Sequence, residues 1–202
     1  MFTVCQELKS NTNYEKYFDS STNVDTHMMK NTEWGAVAYL THSKYGVNGE
    51  EVGLKSNGYT TGQDSGNNNY NSISGITVST TKNIYGIYDA NGGAFEYVAA
   101  CSNGSTQKLT TSEDESYINK YINLYGEYSI LNYGDAIYET SGSIGDRNSW
   151  FGDFSLYLKS GYPIFIRGGG YTSGTTGGLF YFHEQSGALQ KNCSFRPVCI
   201  VD

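Results

Sequence analysis

The 35 residues GGGYTSGTTGGLFYFHEQSGALQKNCSFRPVCIVD, Gly168 to Asp202, constrain the fold more tightly than any other stretch. Alternation in GGLFYFHE sets Phe180 and Phe182 on one face and Leu179, Tyr181 and His183 on the other. PIFIRGG before it and SFRPVCIV after it also read as strands, and Pro197 pushes the last toward an edge or a bulge. Gly174 and Gly187 suit turns. Between these rigid pieces, Tyr171 to Asn192 carries hydroxyls, amides, one acid, one base and one imidazole, in no catalytic spacing.

Upstream, two helices carry start signals. In NTEWGAVAYLTHSKYG, Asn31 or Thr32 suits the N-cap, and Glu33 favours the positive end of the helix dipole. Trp34, Val37, Ala38 and Leu40 or Thr41 make an apolar stripe of helical period, and Gly46 suits the C′ position. In SEDESYINKYINLYG, Ser112 to Glu115 forms an S-x-x-E capping box. Tyr117, Ile118, Tyr121, Ile122 and Tyr125 follow at helical spacing, and Gly126 can close the helix. Residues 6–18 read as weakly helical, and Asp25 suits the cap of a short helix through His27, Met28 and Met29. Residues 56–75 are crowded with turn formers and read as a long surface loop. The run Asp89 to Gly93 forces a turn, with Ile84, Ile87, Phe95, Tyr97 and Val98 as apolar anchors around it. Residues 127–162 are irregular and aromatic.

A chain of 202 residues suits one domain with a real core. With 19 Tyr, 25 Gly and 2 Pro it is neither a helical bundle nor a disordered chain. Net charge is −7 with three arginines, Arg147, Arg167 and Arg196. That leaves no basic stripe for nucleic acid. No run of 18 apolar residues exists, so no direct membrane contact is expected. Met1-Phe2-Thr3 lacks the basic start and apolar run of a signal peptide. The chain is then either cytosolic or part of a larger exported protein, and the Tyr-, Asn-, Ser- and Gly-rich style favours the second.

No arrangement of known chemistry emerges. Neither G-x-S-x-G nor a P-loop occurs, nor HExxH, nor an EF-hand loop. His27, His42 and His183 stand far apart in sequence, and His183 and Glu184 point to opposite faces of one strand. The acids of SEDESY are explained by a helix start. Cys5, Cys101, Cys193 and Cys199 make no CxxC pair, so zinc is not expected. Cys193 and Cys199 would lie roughly 20 Å apart on an extended strand, too far for a disulfide. A Cys5–Cys101 bridge stays open beside the simpler expectation of four free cysteines, most of them buried.

Three segments in order resemble a known family. NIYGIYDANGGAFEYV resembles the GLYDMxGNVWEW signature of formylglycine-generating-enzyme-like domains, FIRGGGY their RGGSW, and SFRPV their terminal GFRVV. The helix NTEWGAVAYLTHSKYG sits where those domains carry W-x-x-A-x-x-Y. The resemblance spans roughly residues 25–202. It implies an α+β domain of C-type-lectin-type, formylglycine-generating-enzyme-like fold, with two main helices, a small antiparallel sheet and much irregular structure.

The enzymes of that family hold copper between two cysteines, one just after GFR and one shortly before it. Here Pro197 follows Arg196, and Cys193 is the one cysteine between Arg167 and Arg196. The resemblance therefore implies no oxidase, no catalytic residue and no cofactor. Glu96 matches the acid near the family's calcium turn, but Gly93 replaces its Asn, and bracing Arg167 or Arg196 is the alternative role for that carboxylate.

The chain is closer in style to the family's non-enzymatic branch, the variable proteins of diversity-generating retroelements. These are binders on bacterial surface structures, pilus or lipoprotein, or on phage tails. That likeness implies a single domain over residues 1–202 with a variable strip at about 167–196. Its fixed frame would be Arg167, Gly168, Gly169, Gly174, Gly178, Phe180, Phe182, Gly187, Phe195 and Arg196. Its ligand-binding positions would be Tyr171, Thr172, Ser173, Thr176, Tyr181, His183, Glu184, Gln185, Ser186, Ala188, Leu189, Gln190, Lys191 and Asn192. The expected partner is a protein or glycan at the cell surface or on a virion. An active copper oxidase and an invariant structural adhesin or pilin domain are the alternatives.

Overall fold

The computed structural model describes residues 1–18, 23–52, 79–83, 86–126, 133–142 and 146–201. The expected loop at 56–75 and the anchor Ile84 lie outside the described residues. The chain is α+β. In order, the elements are α1 (Phe2–Gln6), β1 (Val24–Met28), α2 (Asn31–His42), β2 (Phe95–Ser102), α3 (Glu115–Tyr121), β3 (Asn123–Tyr125), β4 (Ile164–Arg167), β5 (Phe182–Gln185), β6 (Cys193–Phe195) and β7 (Pro197–Val201).

The central sheet is mixed rather than antiparallel. β4 and β5 add antiparallel to one side of β2, while β3 and β6 pair parallel with its far ends. The parallel pairings follow from chain reversal. β5 ends beside the start of β4, so residues 186–192 must carry the chain back a full strand length before β6 can pair with Phe95. A separate two-stranded antiparallel ribbon joins β1 to β7. The expected helix at Asp25–Met29 is therefore strand β1. The partner that decides this, β7, is about 170 residues away in sequence, beyond the reach of local propensity.

The last strand breaks in two. Arg196 leaves the ladder, and its carbonyl accepts from Met29 N–H at 2.9 Å. Beyond it, Pro197 opens β7 on the β1 ribbon.

α2 forms where expected, but Lys30 is its N-cap. Glu33 Oε2 accepts the Lys30 N–H at 2.7 Å, and Asn123 Oδ1 from β3 accepts the Thr32 N–H at 3.0 Å. The buried face comprises Asn31, Trp34, Gly35, Ala38 and Thr41, while Leu40 faces out. The helix stops at Ser43, before Gly46, because Ser43 has already gone extended. α3 begins at Asp114, whose carboxylate caps Ser116 and Tyr117 N–H, and ends at Ile122. Tyr125, expected on this helix, lies instead on β3, where parallel pairing with β2 outcompetes the helical turn. Residues 6–18 hold only single 3₁₀ turns at Leu8–Ser10 and Glu15–Tyr17.

Both faces of the sheet are covered. One carries Val98, Ala100, Phe165 and Phe182, with Trp34 and Ala38 of α2 above them. The other carries Tyr97, Ala99, Cys101, Ile164 and Ile166, against Phe2 and Cys5 of α1 and the Tyr117–Tyr121 face of α3. This explains why β2 is buried at nearly every position, as a strand with two covered faces must be.

Candidate functional site: a strip built on a buried arginine

The strip starts at Arg167, which is fully buried. Its Nη1 donates to Asn31 Oδ1 (3.1 Å) and to the Asp135 carbonyl (3.3 Å). Nη2 donates to the carbonyls of Ala136 (3.1 Å) and Leu179 (3.3 Å). The guanidinium lies over the Trp34 and Phe182 rings, and Trp34 Nε1 donates to the same Leu179 carbonyl at 2.8 Å. Burial lowers the arginine pKa to about 10, so it keeps its charge at neutral pH, and Asp135 is a nearby counter-charge. One side chain thus ties α2, the 134–137 segment, β4 and the 178–181 turn together. Arg167 is a brace, as its place in the expected frame requires.

Arg196 braces the other end. Its Nε and Nη2 donate to both oxygens of Glu96, at 3.1 and 2.5 Å, and Nη2 also reaches the Tyr88 carbonyl at 3.0 Å. Burial raises the Glu96 pKa, and the Arg196 charge opposes that shift. Both oxygens of Glu96 thus bond Arg196, the bracing role open to that carboxylate.

The 168–181 turn is held by backbone and by glycines. Gly168 has φ +84, and a Cβ there would lie 2.5 Å from the Ala90 carbonyl oxygen. A Cβ on Gly178 would lie 2.3 and 2.4 Å from the two Asp153 oxygens. The Asp153 carboxylate accepts the Phe180 N–H at 2.8 Å in a buried site, and burial raises its pKa to about 7. Gly93 carbonyl accepts from Tyr171 N–H (2.8 Å), Phe154 N–H donates to the Thr176 carbonyl (2.9 Å), and Phe95 N–H donates to the Asn192 carbonyl (2.9 Å). Gly93 and Phe95 are two residues apart, so they bring the two ends of the strip, Tyr171 and Asn192, beside one another. The 186–192 connection is pinned midway, where Tyr97 Oη donates to the Ala188 carbonyl at 2.8 Å.

Of the expected ligand-binding side chains, Tyr171, Thr172, Thr176, Ala188, Leu189, Gln190 and Lys191 are exposed, and Leu189 is 92% exposed. Ser173, His183, Gln185, Ser186 and Asn192 are half-buried. Two are core residues. Tyr181 is 6% exposed, packed among Phe95, Phe154 and His183 with ring centroids 5.6, 5.8 and 6.5 Å away. Glu184 is 3% exposed and pairs with Lys159 Nζ at 2.6 Å.

The reasons differ. Glu184 shares the face of Phe182, two residues before it, and that face packs on the main core. Tyr181 lies on the opposite face, but Phe95 and Phe154 cover that face too. The regular strand begins only at Phe182, so Leu179 and Phe180 do not alternate and both are buried. His183 stacks on Phe154 at 5.5 Å, and its Nδ1 lies 2.5 Å from the Glu184 carbonyl.

The four cysteines are free. Cys5 and Cys101 are buried in one core, and burial raises their thiol pKa values to about 11 and about 12. Cys193 is half-buried and Cys199 exposed, so only two of the four are core residues. Cys193 sits on β6 against β2 and Cys199 on β7 against β1, in different sheets.

Sequence reading passed over three residues beside the strip: Trp150, Phe151 and Asp153. Two large aromatics followed by Gly and Asp in an otherwise irregular stretch were the available signal. Compared with protein-family models, with curated proteins and with solved structures, the chain matches none of them.

Proposed function

We propose that this chain is a non-enzymatic ligand-recognition domain of C-type-lectin-type fold, the variable protein of a diversity-generating retroelement. It would be displayed on a bacterial surface structure, pilus or lipoprotein, or on a phage tail, and would bind protein or glycan targets. The ligand surface consists of Tyr171, Thr172, Ser173, Thr176, His183, Gln185, Ser186, Ala188, Leu189, Gln190, Lys191 and Asn192. Tyr181 and Glu184 belong to the frame.

The observation that carries the reading is a division of labour within the strip. Its main chain is tied to the rest of the fold by Arg167, Asp153, Tyr97, Gly93 and Phe95, all outside the exposed set, and local bonds from Ser173, Thr176 and Ser186 within the ligand set add to these. The exposed side chains project from that scaffold. A surface so built tolerates substitution, and a pre-ordered backbone lowers the entropic cost of binding. Tyr, Ser, Thr and Asn supply rigid amphipathic area and adaptable hydrogen bonds, as in antibody paratopes.

The test replaces Tyr171, Thr172, Thr176, Leu189, Gln190 and Lys191 together with other residues drawn from Ser, Asn, Asp and Tyr. The fold and its thermal midpoint should survive. Collapse of the fold would show that these side chains are structural. A genomic observation tests the retroelement reading separately: a near-copy of the DNA for residues 167–196, differing at adenines and lying beside a reverse transcriptase gene.

A further inference from the structure

Beside the strip stands an exposed aromatic ledge. Trp150 is 48% exposed and Phe151 40%, on a tight turn at Trp150–Gly152. Phe151 adopts φ +62, a left-handed conformation that costs a bulky L-residue free energy. Stacking of the ring on His42 and Phe180 offsets that cost. Backbone strain of this kind is met where a side chain must be presented in a set direction.

The ledge is rigid. Phe151 stacks on His42 (centroids 4.3 Å) and Phe180 (5.7 Å), and Trp150 meets Phe180 (5.4 Å) and Tyr39 (6.1 Å) edge-on. It is also joined to the strip. Phe180 is part of the strip's frame, Asp153 holds the Phe180 N–H, and Phe154 N–H donates to the Thr176 carbonyl. The ledge and the 172–176 turn are thus anchored to one frame.

Their chemistry is uniform. Residues 149–152 (SWFG) and 172–176 (TSGTT) contain no ionisable side chain. Exposed on them are Trp150, Phe151, Thr172, Thr175 and Thr176, with the Thr176 hydroxyl donating to the Ser173 carbonyl at 2.8 Å and free to accept. An electron-rich ring face attracts weakly positive C–H groups. Hydroxyls donate to and accept from other hydroxyls. A ligand with an apolar C–H face ringed by neutral hydroxyls satisfies both at once, and a pyranose ring is built that way.

We infer that Trp150 and Phe151 form a constant sugar-stacking platform, on which a neutral pyranose of a glycan lies while the neighbouring threonines bond its hydroxyls. This rests on the recognition reading above and narrows its ligand to uncharged carbohydrate at this edge. The strip would then select among glycans whose first ring stacks on residues outside it.

Of the chain's two tryptophans, Trp34 is fully buried, so Trp150 is the indole that a ligand can touch. The probes are glucose, galactose, mannose, N-acetylglucosamine, maltose, cellobiose and lactose, titrated against the whole chain by tryptophan fluorescence and by calorimetry. At least one should shift Trp150 emission to the blue with half-saturation on the order of 1 mM. Trp150→Ala should weaken binding at least tenfold with the fold intact, and Trp150→Phe should restore part of it by calorimetry. Glucuronate should bind no better than glucose.

The platform is overturned if no sugar shifts emission or releases heat up to about 50 mM, far beyond millimolar affinity. A protein or peptide ligand would then be the occupant of this surface. Sugar binding lost in Trp150→Ala but kept in the six-residue strip variant, which replaces Thr172 and Thr176, supports the aromatic platform and overturns the contacts assigned to those two threonines. Binding lost in the strip variant but kept in Trp150→Ala overturns the platform and supports the strip.

Discussion

Tyr181 offers the sharpest test of where the frame ends and the variable surface begins. Its ring is 6% exposed and is enclosed by Phe95, Phe154 and His183. Tyr181→Ala removes a buried aromatic from a site walled by sheet and turn, which cannot collapse freely. Aromatic-to-alanine changes in such sites cost about 3–5 kcal/mol. For a domain of this size each kcal/mol moves the thermal midpoint by about 2–4 °C, so the expected drop is roughly 6–20 °C. The comparison is Leu189→Ser, at a position 92% exposed, where the change should stay within about 0.5 kcal/mol. Both are read by urea denaturation, followed by circular dichroism, and by thermal melting. If Tyr181→Ala unfolds within about 1 kcal/mol of the parent, a difference typical of any single change, the aromatic packing described here is wrong. Tyr181 then returns to the ligand surface. If Leu189→Ser is equally damaging, the 186–192 connection is structural as a whole.

The stability contributed by Asp153, Asp135 and His27 should fall as pH rises from about 4 to 8, against an opposite contribution from His42, whose pKa burial lowers. Burial raises the Asp153 pKa to about 7 and the Asp135 pKa to about 6, while Glu33 and Asp25 raise that of His27. In each case the folded state holds its proton more tightly than the unfolded chain. The stabilisation is therefore complete below the unfolded pKa and lost as pH passes the folded one. Urea midpoints at pH 5 and pH 8 measure the sum, and Asp153→Asn should remove part of the fall; a steeper fall in that variant would refute the assignment. Gly178→Ala should destabilise by about 1–3 kcal/mol, since its methyl would meet the Asp153 carboxylate, and Asp153→Ala should relieve part of that cost in a double-mutant cycle.

Local chemistry foretold the elements whose causes are local. α2 is capped at Lys30, just before the expected caps Asn31 and Thr32, with Glu33 in its first turn as expected, and buries Trp34, Ala38 and Thr41 at helical spacing. α3 starts at the expected stretch, but the Ser112–Glu115 capping box does not form: Asp114 is the cap, because its carboxylate reaches two free N–H groups. PIFIR is β4, and the bracing role open to Glu96 is the one it performs, toward Arg196. The opposite orientations of His183 and Glu184 follow from the two-residue period of a strand alone.

What lay beyond the sequence depended on partners distant along the chain. Asp25–Met28 is a strand because β7 lies beside it, and Tyr125 leaves α3 because β2 offers it a ladder. The polar strip from Tyr171 to Asn192 was legible as a strip, but its division into surface and core was not. Period-two alternation says which residues share a face. It cannot say that both faces are covered, and that fact buries Tyr181 beneath Phe95 and Phe154 and Glu184 beside Lys159. Burial is a property of two surfaces meeting. Sequence specifies one of them at a time, and tertiary structure brings the second.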